Sequence, residues 1–306
     1  MTESLNVLDN IRLNFSEGGL HFLNVTLALI MFGVALEIKL SNFKKIVHNP
    51  KPVLVGLLSQ YIVMPAVSFL CVLLLHPSPS VALGMILVAA CPGGNISNFL
   101  SLMAKGNIEL SVSLTAIITI AAVFFTPFNF AFYGNLYSEA AHIMMPISID
   151  PWEMVRAVVL LLGIPLILGM LFAWRFPDLT KRISKPMKIF SLLVFAGFIV
   201  VALYANIQFF LKYIHLIILI VFVQNSMAFL SGYFTARSFK LARNDVKTIS
   251  IESGIHNTGL GLVLIFNPRL FNGLGGMAFI AAWWGIWHIV AGMGVAWLYS
   301  RKSNRH

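Results

Sequence analysis

Apolar runs of about twenty residues, separated by short polar connections, recur along almost the whole chain of 306 residues. Reading apolar windows against that punctuation gives nine segments, at about 20–38, 52–75, 81–104, 108–134, 152–174, 189–208, 213–236, 248–268 and 275–299. A helix needs about 20 mostly apolar residues to cross the hydrocarbon of a bilayer, so each segment is a candidate crossing. A composition that is 58% hydrophobic and 10% charged, with mean hydropathy +0.87, leaves too little polar surface to cover a soluble domain. The sequence therefore predicts an all-α membrane protein with nine transmembrane helices.

The formal charge of +10 could suggest a nucleic-acid partner, but the basic residues sit between apolar segments and not along one soluble face. Their distribution instead orients the chain. Lys39, Lys44, Lys45 and Lys51 follow the first segment, Lys105 the third, and Arg175, Lys181, Arg182, Lys185 and Lys188 the fifth. Arg237, Lys240, Arg243 and Lys247 follow the seventh, and Arg301, Lys302 and Arg305 form the tail, so 17 of the 21 basic residues share one side. By the positive-inside rule that side is cytoplasmic, the N-terminus is outside and the C-terminus inside. Residues 1–19 form an extracytoplasmic segment without the basic start of a cleaved signal peptide. Residues 136–151 form an extracytoplasmic linker between a first half, 20–135, and a second, 152–300, followed by a cytoplasmic tail, 301–306. Cys71 and Cys91 fall inside apolar segments and offer neither a disulfide framework nor a metal site.

Two segments are interrupted. In the third, Pro92, Gly93 and Gly94 precede Asn95, Ser97 and Asn98; in the eighth, Glu252-Ser-Gly-Ile-His-Asn-Thr-Gly259 breaks an apolar run. Proline removes an amide donor and glycine favours non-helical backbone, so both helices are expected to break within the membrane. Backbone broken there must be buried in protein or line a wet cavity. Each interrupted segment is the second-to-last of its half, and the two run in opposite directions, the pattern of an inverted-repeat transporter with two crossing helices. Helix N-termini there suit an anion and helix C-termini a cation.

Glu252 is the one acidic residue deep in an apolar segment, and no lysine or arginine occupies the middle of any other. An ionised carboxylate in such a place needs compensation, and a bound cation or proton is a better partner than a distant basic side chain. Ser111 and Thr115, four residues apart, share a helix face, and Gln60 lies within the second segment. With Ser97, Asn98 and Glu252 they could build an oxygen cage suited to a hard monovalent ion. No activated nucleophile or metal-ligand set points to an enzyme. A sodium/proton antiporter, a proton-coupled anion transporter and a membrane sensor are competing readings; one midplane acid is few for an antiporter, and a sensor would need a soluble output domain.

Met31-Phe-Gly33, Gln60-Tyr-Ile-Val-Met-Pro65, Cys91-Pro-Gly-Gly-Asn-Ile-Ser-Asn98, Gly106-Asn-Ile-Glu-Leu-Ser111, Glu252 to Gly259 and Trp287-His288 together resemble the bile acid:sodium symporter family over residues 30–301. The resemblance implies a nine-span member of a bacterial inner membrane, lacking the first helix of ten-span relatives. It implies a panel domain of spans 1, 5 and 6 and a core domain of spans 2–4 and 7–9, with alternating access from movement of one against the other. It implies a sodium ion held by Ser97, Asn98, Ser111, Thr115 and Glu252. A second sodium would be held by Gln60, Glu252, the backbone oxygens of Ser253 and Ile255, and residue 256, which is glutamine in the family pattern and His256 here. A neutral imidazole is a poor sodium ligand and a protonated one repels the ion, so His256 either stands in for the second cation when protonated or hydrogen-bonds Glu252 or nearby backbone. The resemblance places Asn95, Asn257 and His288 at an organic-anion substrate, bile acid-like, pantoate-like or another organic acid; His288 could equally be packed at an interface.

Overall fold

The computed structural model describes residues 7–13, 17–38, 49–141, 150–205 and 207–302. Eleven helices account for most of them: α1 (Glu17–Glu37), α2 (Pro50–Leu75), α3 (Pro79–Ala90), α4 (Ile96–Met103), α5 (Ile108–Ala141), α6 (Pro151–Arg175), α7 (Pro177–Ala205), α8 (Ile207–Ser238), α9 (Arg243–Gly254), α10 (Thr258–Phe266) and α11 (Gly275–Lys302). Among the described residues five helical stretches, within α2, α5, α6, α8 and α11, are long and apolar enough to cross a membrane, and the stretches His21–Leu36 and Pro79–Ala90 are shorter and apolar. The expected connection before 189 is mostly helix, because α7 begins at Pro177, and α5 continues to Ala141 into the expected linker. Lys39, Lys44, Lys45, Arg305 and linker residues 142–149 lie outside the described residues.

Each interrupted segment is two short helices: α3 and α4, of 12 and 8 residues, and α9 and α10, of 12 and 9. Each pair lies between long helices, so the order long, short, break, short, long occurs twice. The connections repeat as well. His76 after α2 and Lys240 after α8 have φ 45° and 55°; Lys105 after α4 and Asn272 after α10 have φ 55° and 46°. Left-handed backbone is uncommon at non-glycine residues, so these matched positions record the same turn chemistry in both halves.

Prolines leave their mark on α2 and α6. Pro65 and Pro165 each follow a π-helical turn, Ser59–Val63 and Val159–Gly163. Proline cannot donate to the carbonyl four residues back, and widening the preceding turn absorbs its ring. Tyr61, the residue that Pro65 fails to serve, has its carbonyl satisfied by Asn129 Nδ2 from α5 at 3.0 Å. This places Gln60 inside a widened turn whose backbone is held from outside the helix.

Packing divides unevenly. α1 packs chiefly on α6 and α7, while α8 packs along α9 and α11 along α3. Small residues allow the close approaches: a Cβ on Gly169 of α6 would lie 2.6 Å from both Ala35 Cβ and Phe32 O of α1. Residues 7–13 dock at the starts of α11 and α3. Leu13 N donates to Gly273 O and Gly275 N to Ile11 O, each at 2.9 Å, and Asp9 Oδ1 accepts from Ser80 N at 2.8 Å. Ser78, at the start of α3, makes no capping bond of its own, so Asp9 supplies that acceptor from a remote segment.

Gly169→Leu should force α1 from α6 and lower stability by about 1–3 kcal/mol. Gly294→Leu, at a glycine with nothing within 4 Å, should have little effect. Thermal melting of the two detergent-solubilised variants checks the difference.

Candidate functional site

The two breaks meet. Pro92–Gly94 and Ile255–Asn257 run antiparallel as extended strands, with a bridge between Gly93 and His256. Gly94 N donates to Ile255 O at 3.0 Å and Asn257 N to Pro92 O at 2.8 Å. These amides have left their own helices: in continuous helices they would have served Ala90 O and Ser253 O. The glycines permit the approach, since a Cβ on Gly93 would stand 3.1 Å from Glu252 Oε2 and one on Gly94 3.1 Å from His256 O.

The carbonyls abandoned at the break are largely recapped by neighbouring helices. Thr126 Oγ1 donates to Ala90 O at 2.8 Å, Gln60 Nε2 to Cys91 O at 3.2 Å and Asn225 Nδ2 to Gly254 O at 2.7 Å. Buried backbone polar groups are nearly always paired, and polar side chains inside apolar helices do that work here. The role of Gln60 as a cap, and those of Thr126 and Asn225, went unread in the sequence. The polar pair Gln224-Asn225 inside an apolar run was the available signal.

Glu252, 2% exposed, lies two residues before the end of α9. Its Oε1 accepts from Ser97 Oγ at 2.7 Å and Ser111 Oγ at 2.6 Å, and Thr115 Oγ1 is 3.2 and 3.3 Å from its two oxygens. Asn98 Oδ1 joins the cluster, 2.8 Å from Ser111 Oγ and 3.3 Å from Thr115 Oγ1. All five residues expected around the first cation are therefore brought together, from α4, α5 and α9. The cluster has more acceptors than protons. Ser111 has one hydroxyl hydrogen for two close oxygens, and Thr115 Oγ1 is also 3.0 Å from Ser111 O, the usual acceptor for a helical threonine. No ion pair to Glu252 occurs among the described residues. Oxygen ligands with surplus lone pairs and one carboxylate fit a hard monovalent cation such as sodium.

Lys247, expected near the cytoplasmic surface, is 3% exposed and donates to Ala104 O at 3.0 Å, closing the end of α4. Nearby, Asn107 Nδ2 donates to Asp245 Oδ1 at 2.7 Å and Asn107 N to Thr248 Oγ1 at 2.8 Å. This side of α9 is thus pinned to the turn before α5, and the basic charge serves helix ends instead of Glu252.

The residues around His256 form a second group. Both of its ring nitrogens are buried without a hydrogen-bond partner, so it bonds neither Glu252 nor the neighbouring backbone; its ring stands edge-on to Trp284, 5.5 Å between centroids. Gln60 Oε1 is likewise buried and unpartnered. Ser253 Oγ is 2.7 Å from Ser59 Oγ, and Ile255 O is already engaged by Gly94 N. Of the expected anion contacts, Asn95 and Asn257 flank the bridge as the N-caps of α4 and α10, both half-buried. Asn257 Oδ1 accepts from Leu260 N at 3.2 Å, and its Nδ2 faces Met31 Sδ of α1 at 3.9 Å. His288 is 5% exposed, one helical turn beyond Trp284, with Nδ1 unpartnered.

Gly94→Val should push the strands apart at His256 O and cost about 1–3 kcal/mol. Faster hydrogen exchange at residues 94 and 257 relative to the wild type would report the opened bridge.

The profile of the sodium bile acid symporter family matches residues 24–213. The chain is 29% identical to an uncharacterised sodium-dependent transporter, YocS, of Bacillus subtilis, over 93% of this chain and 84% of that protein. It is 31% identical to the P3 protein of Homo sapiens over 82% of this chain and 52% of that protein, so it spans about half the length of that relative. It is 26% identical to the ileal sodium/bile acid cotransporter of Homo sapiens over 82% of this chain and 71% of that protein. The chain belongs to the sodium bile acid symporter family.

Proposed function

We propose that this protein is a sodium-coupled symporter that carries an organic anion, bile acid-like, pantoate-like or another organic acid, by alternating access. The observation that carries the reading is the Glu252 cluster: a buried carboxylate without a basic partner among the described residues, ringed by Ser97, Asn98, Ser111 and Thr115 from two further helices. Sodium, as co-transported substrate, neutralises Glu252 and draws α4, α5 and α9 together. Its binding stiffens the bridge from which Asn95 and Asn257 project. The anion then meets the N-termini of α4 and α10, where the helix dipole favours negative charge, with His288 beside them. Coupling is reciprocal, since whatever sodium adds to anion affinity the anion adds to sodium affinity.

In this reading the chain crosses a bacterial inner membrane nine times as an inverted repeat, N-terminus outside and C-terminus cytoplasmic. Helices α1, α6 and α7 form the panel and the others the core. The preference of α1 for α6 and α7 supports that division. The contact of Asn257 with Met31 supports anion contacts at the seam between panel and core.

A second reading, that a proton replaces a second sodium beside Gln60, Glu252, Ser253 and Ile255, is favoured by the unpartnered nitrogens of His256. Protonated, the imidazole has a donor on each nitrogen and supplies the charge that a second ion would bring.

Uptake of labelled anions into proteoliposomes after a sodium jump tests the main reading. Uptake should rise with sodium and fall more than about tenfold in Glu252→Gln, the scale of a lost charge-assisted contact; uptake indifferent to sodium that survives the substitution would sink it. For the second reading, His256→Gln should change both the pH dependence of uptake and the number of sodium ions moved per anion. Unchanged values would exclude a proton role for His256.

A further inference from the structure

Helix α9 ends by abandoning three carbonyls in succession. In a continuous helix Glu252 O, Ser253 O and Gly254 O would accept from the amides of residues 256, 257 and 258. Here Asn257 N donates to Pro92 O and Thr258 N to His256 O, while Glu252 O receives only the Ile255 amide at 3.4 Å. Gly254 O is served from outside, by Asn225 Nδ2 of α8 at 2.7 Å. Asn225 is fully buried, and among the described residues this is the one hydrogen bond its side chain makes. Its own Oδ1 has no partner.

The rest of this face of α8 grips α9 closely. Phe229 O accepts from Ser250 Oγ at 2.8 Å. A Cβ on Gly232 would lie 2.7 Å from Ile249 O, and one on Gly254 would run into the Phe229 ring. Asn225, Phe229 and Gly232 follow helical spacing, so one stripe of α8 fixes the height and rotation of α9. Asn225 alone in that stripe hydrogen-bonds the broken end. The other break has a counterpart: Gln60, also from the long helix preceding the broken pair, donates to Cys91 O at the end of α3.

We propose that Asn225 is a positioning residue for cation binding, a role that rests on the sodium reading above. By holding Gly254 O, its amide fixes the peptide plane two residues beyond Glu252. Glu252 O keeps the Ile255 amide and Gly254 O the Asn225 amide, while Ser253 O has lost the Asn257 amide to Pro92 O. Loss of the amide frees Gly254 O to turn inward, rotating Ser253 and Glu252 away from Ser97 and Ser111. Asn225 itself never touches the ion.

The test compares purified wild type, Asn225→Leu and Phe229→Leu in detergent. Thermal midpoints are followed while sodium chloride replaces choline chloride at constant ionic strength. Asn225→Leu keeps the branched shape and heavy-atom count but removes the donor, and should raise the half-stabilising sodium concentration about tenfold, the scale of one buried hydrogen bond to a carbonyl. Phe229→Leu removes packing from the same stripe. It should lower the midpoint in choline yet leave the half-stabilising sodium concentration within about twofold of wild type. Asn225→Ala gives the same reading if the leucine variant does not accumulate as folded protein. An unchanged sodium concentration in the Asn225 variants, or an equal rise in Phe229→Leu, would overturn the positioning role. If wild type gains no stability from sodium, the sodium reading itself fails, and the inference with it.

Discussion

A buried carboxylate with no lysine or arginine beside it among the described residues sets the terms for everything around it. Glu252 is held by hydroxyls from α4 and α5, which lie more than 130 residues away in sequence. Such a group is stable in an apolar environment only when fully hydrogen-bonded and compensated by positive charge. The arrangement therefore requires α9 to end at that depth, α4 to begin beside it, and α5 to present Ser111 and Thr115 on one face. The crossing of the two broken helices satisfies all three requirements at once.

The crossing has its own cost, the unpaired backbone of two helix ends and two helix starts. Two bonds between the extended segments recover part of it, and amides and hydroxyls from α2, α5 and α8 recover more. Consequently the polar residues inside otherwise apolar helices fall into two groups. Ser97, Asn98, Ser111 and Thr115 converge on a carboxylate; Gln60, Thr126, Asn129 and Asn225 converge on carbonyls. In the proposed function the first group exchanges its partner for an ion, while the second keeps the backbone in place.

Coupling in such a molecule needs no long path. The carboxylate and the asparagines proposed to meet the anion are separated by the bridge itself: Glu252 is five residues before Asn257, and Ser97 two residues after Asn95. In the proposed function, a cation that tightens the cluster acts on the same few peptide planes that carry the N-caps of α4 and α10. Asn95 and Asn257 are linked to the Glu252 cluster through backbone, and Asn257 to α1 through Met31.

Much of this was legible in the sequence because membranes impose a coarse grammar. Apolar length announced the helices, and Pro92-Gly93-Gly94 and Glu252 the two breaks. The convergence on Glu252 was also foreseeable, since Ser111 and Thr115 share a helix face by their spacing and the family resemblance named the set. Other features had no local signature. That α7 starts at Pro177 rather than near 189, that Lys247 turns to the end of α4, and that His256 faces Trp284 with both nitrogens unpartnered are outcomes of how whole helices pack. The same holds for Asn225, whose polarity was visible but whose partner, Gly254 O, exists only once α9 breaks. Sequence determined which groups had to be compensated, because the cost of burying a charge or an amide belongs to the residue. Tertiary structure decided what compensates each, because a hydrogen bond depends on distances between helices that no single segment contains.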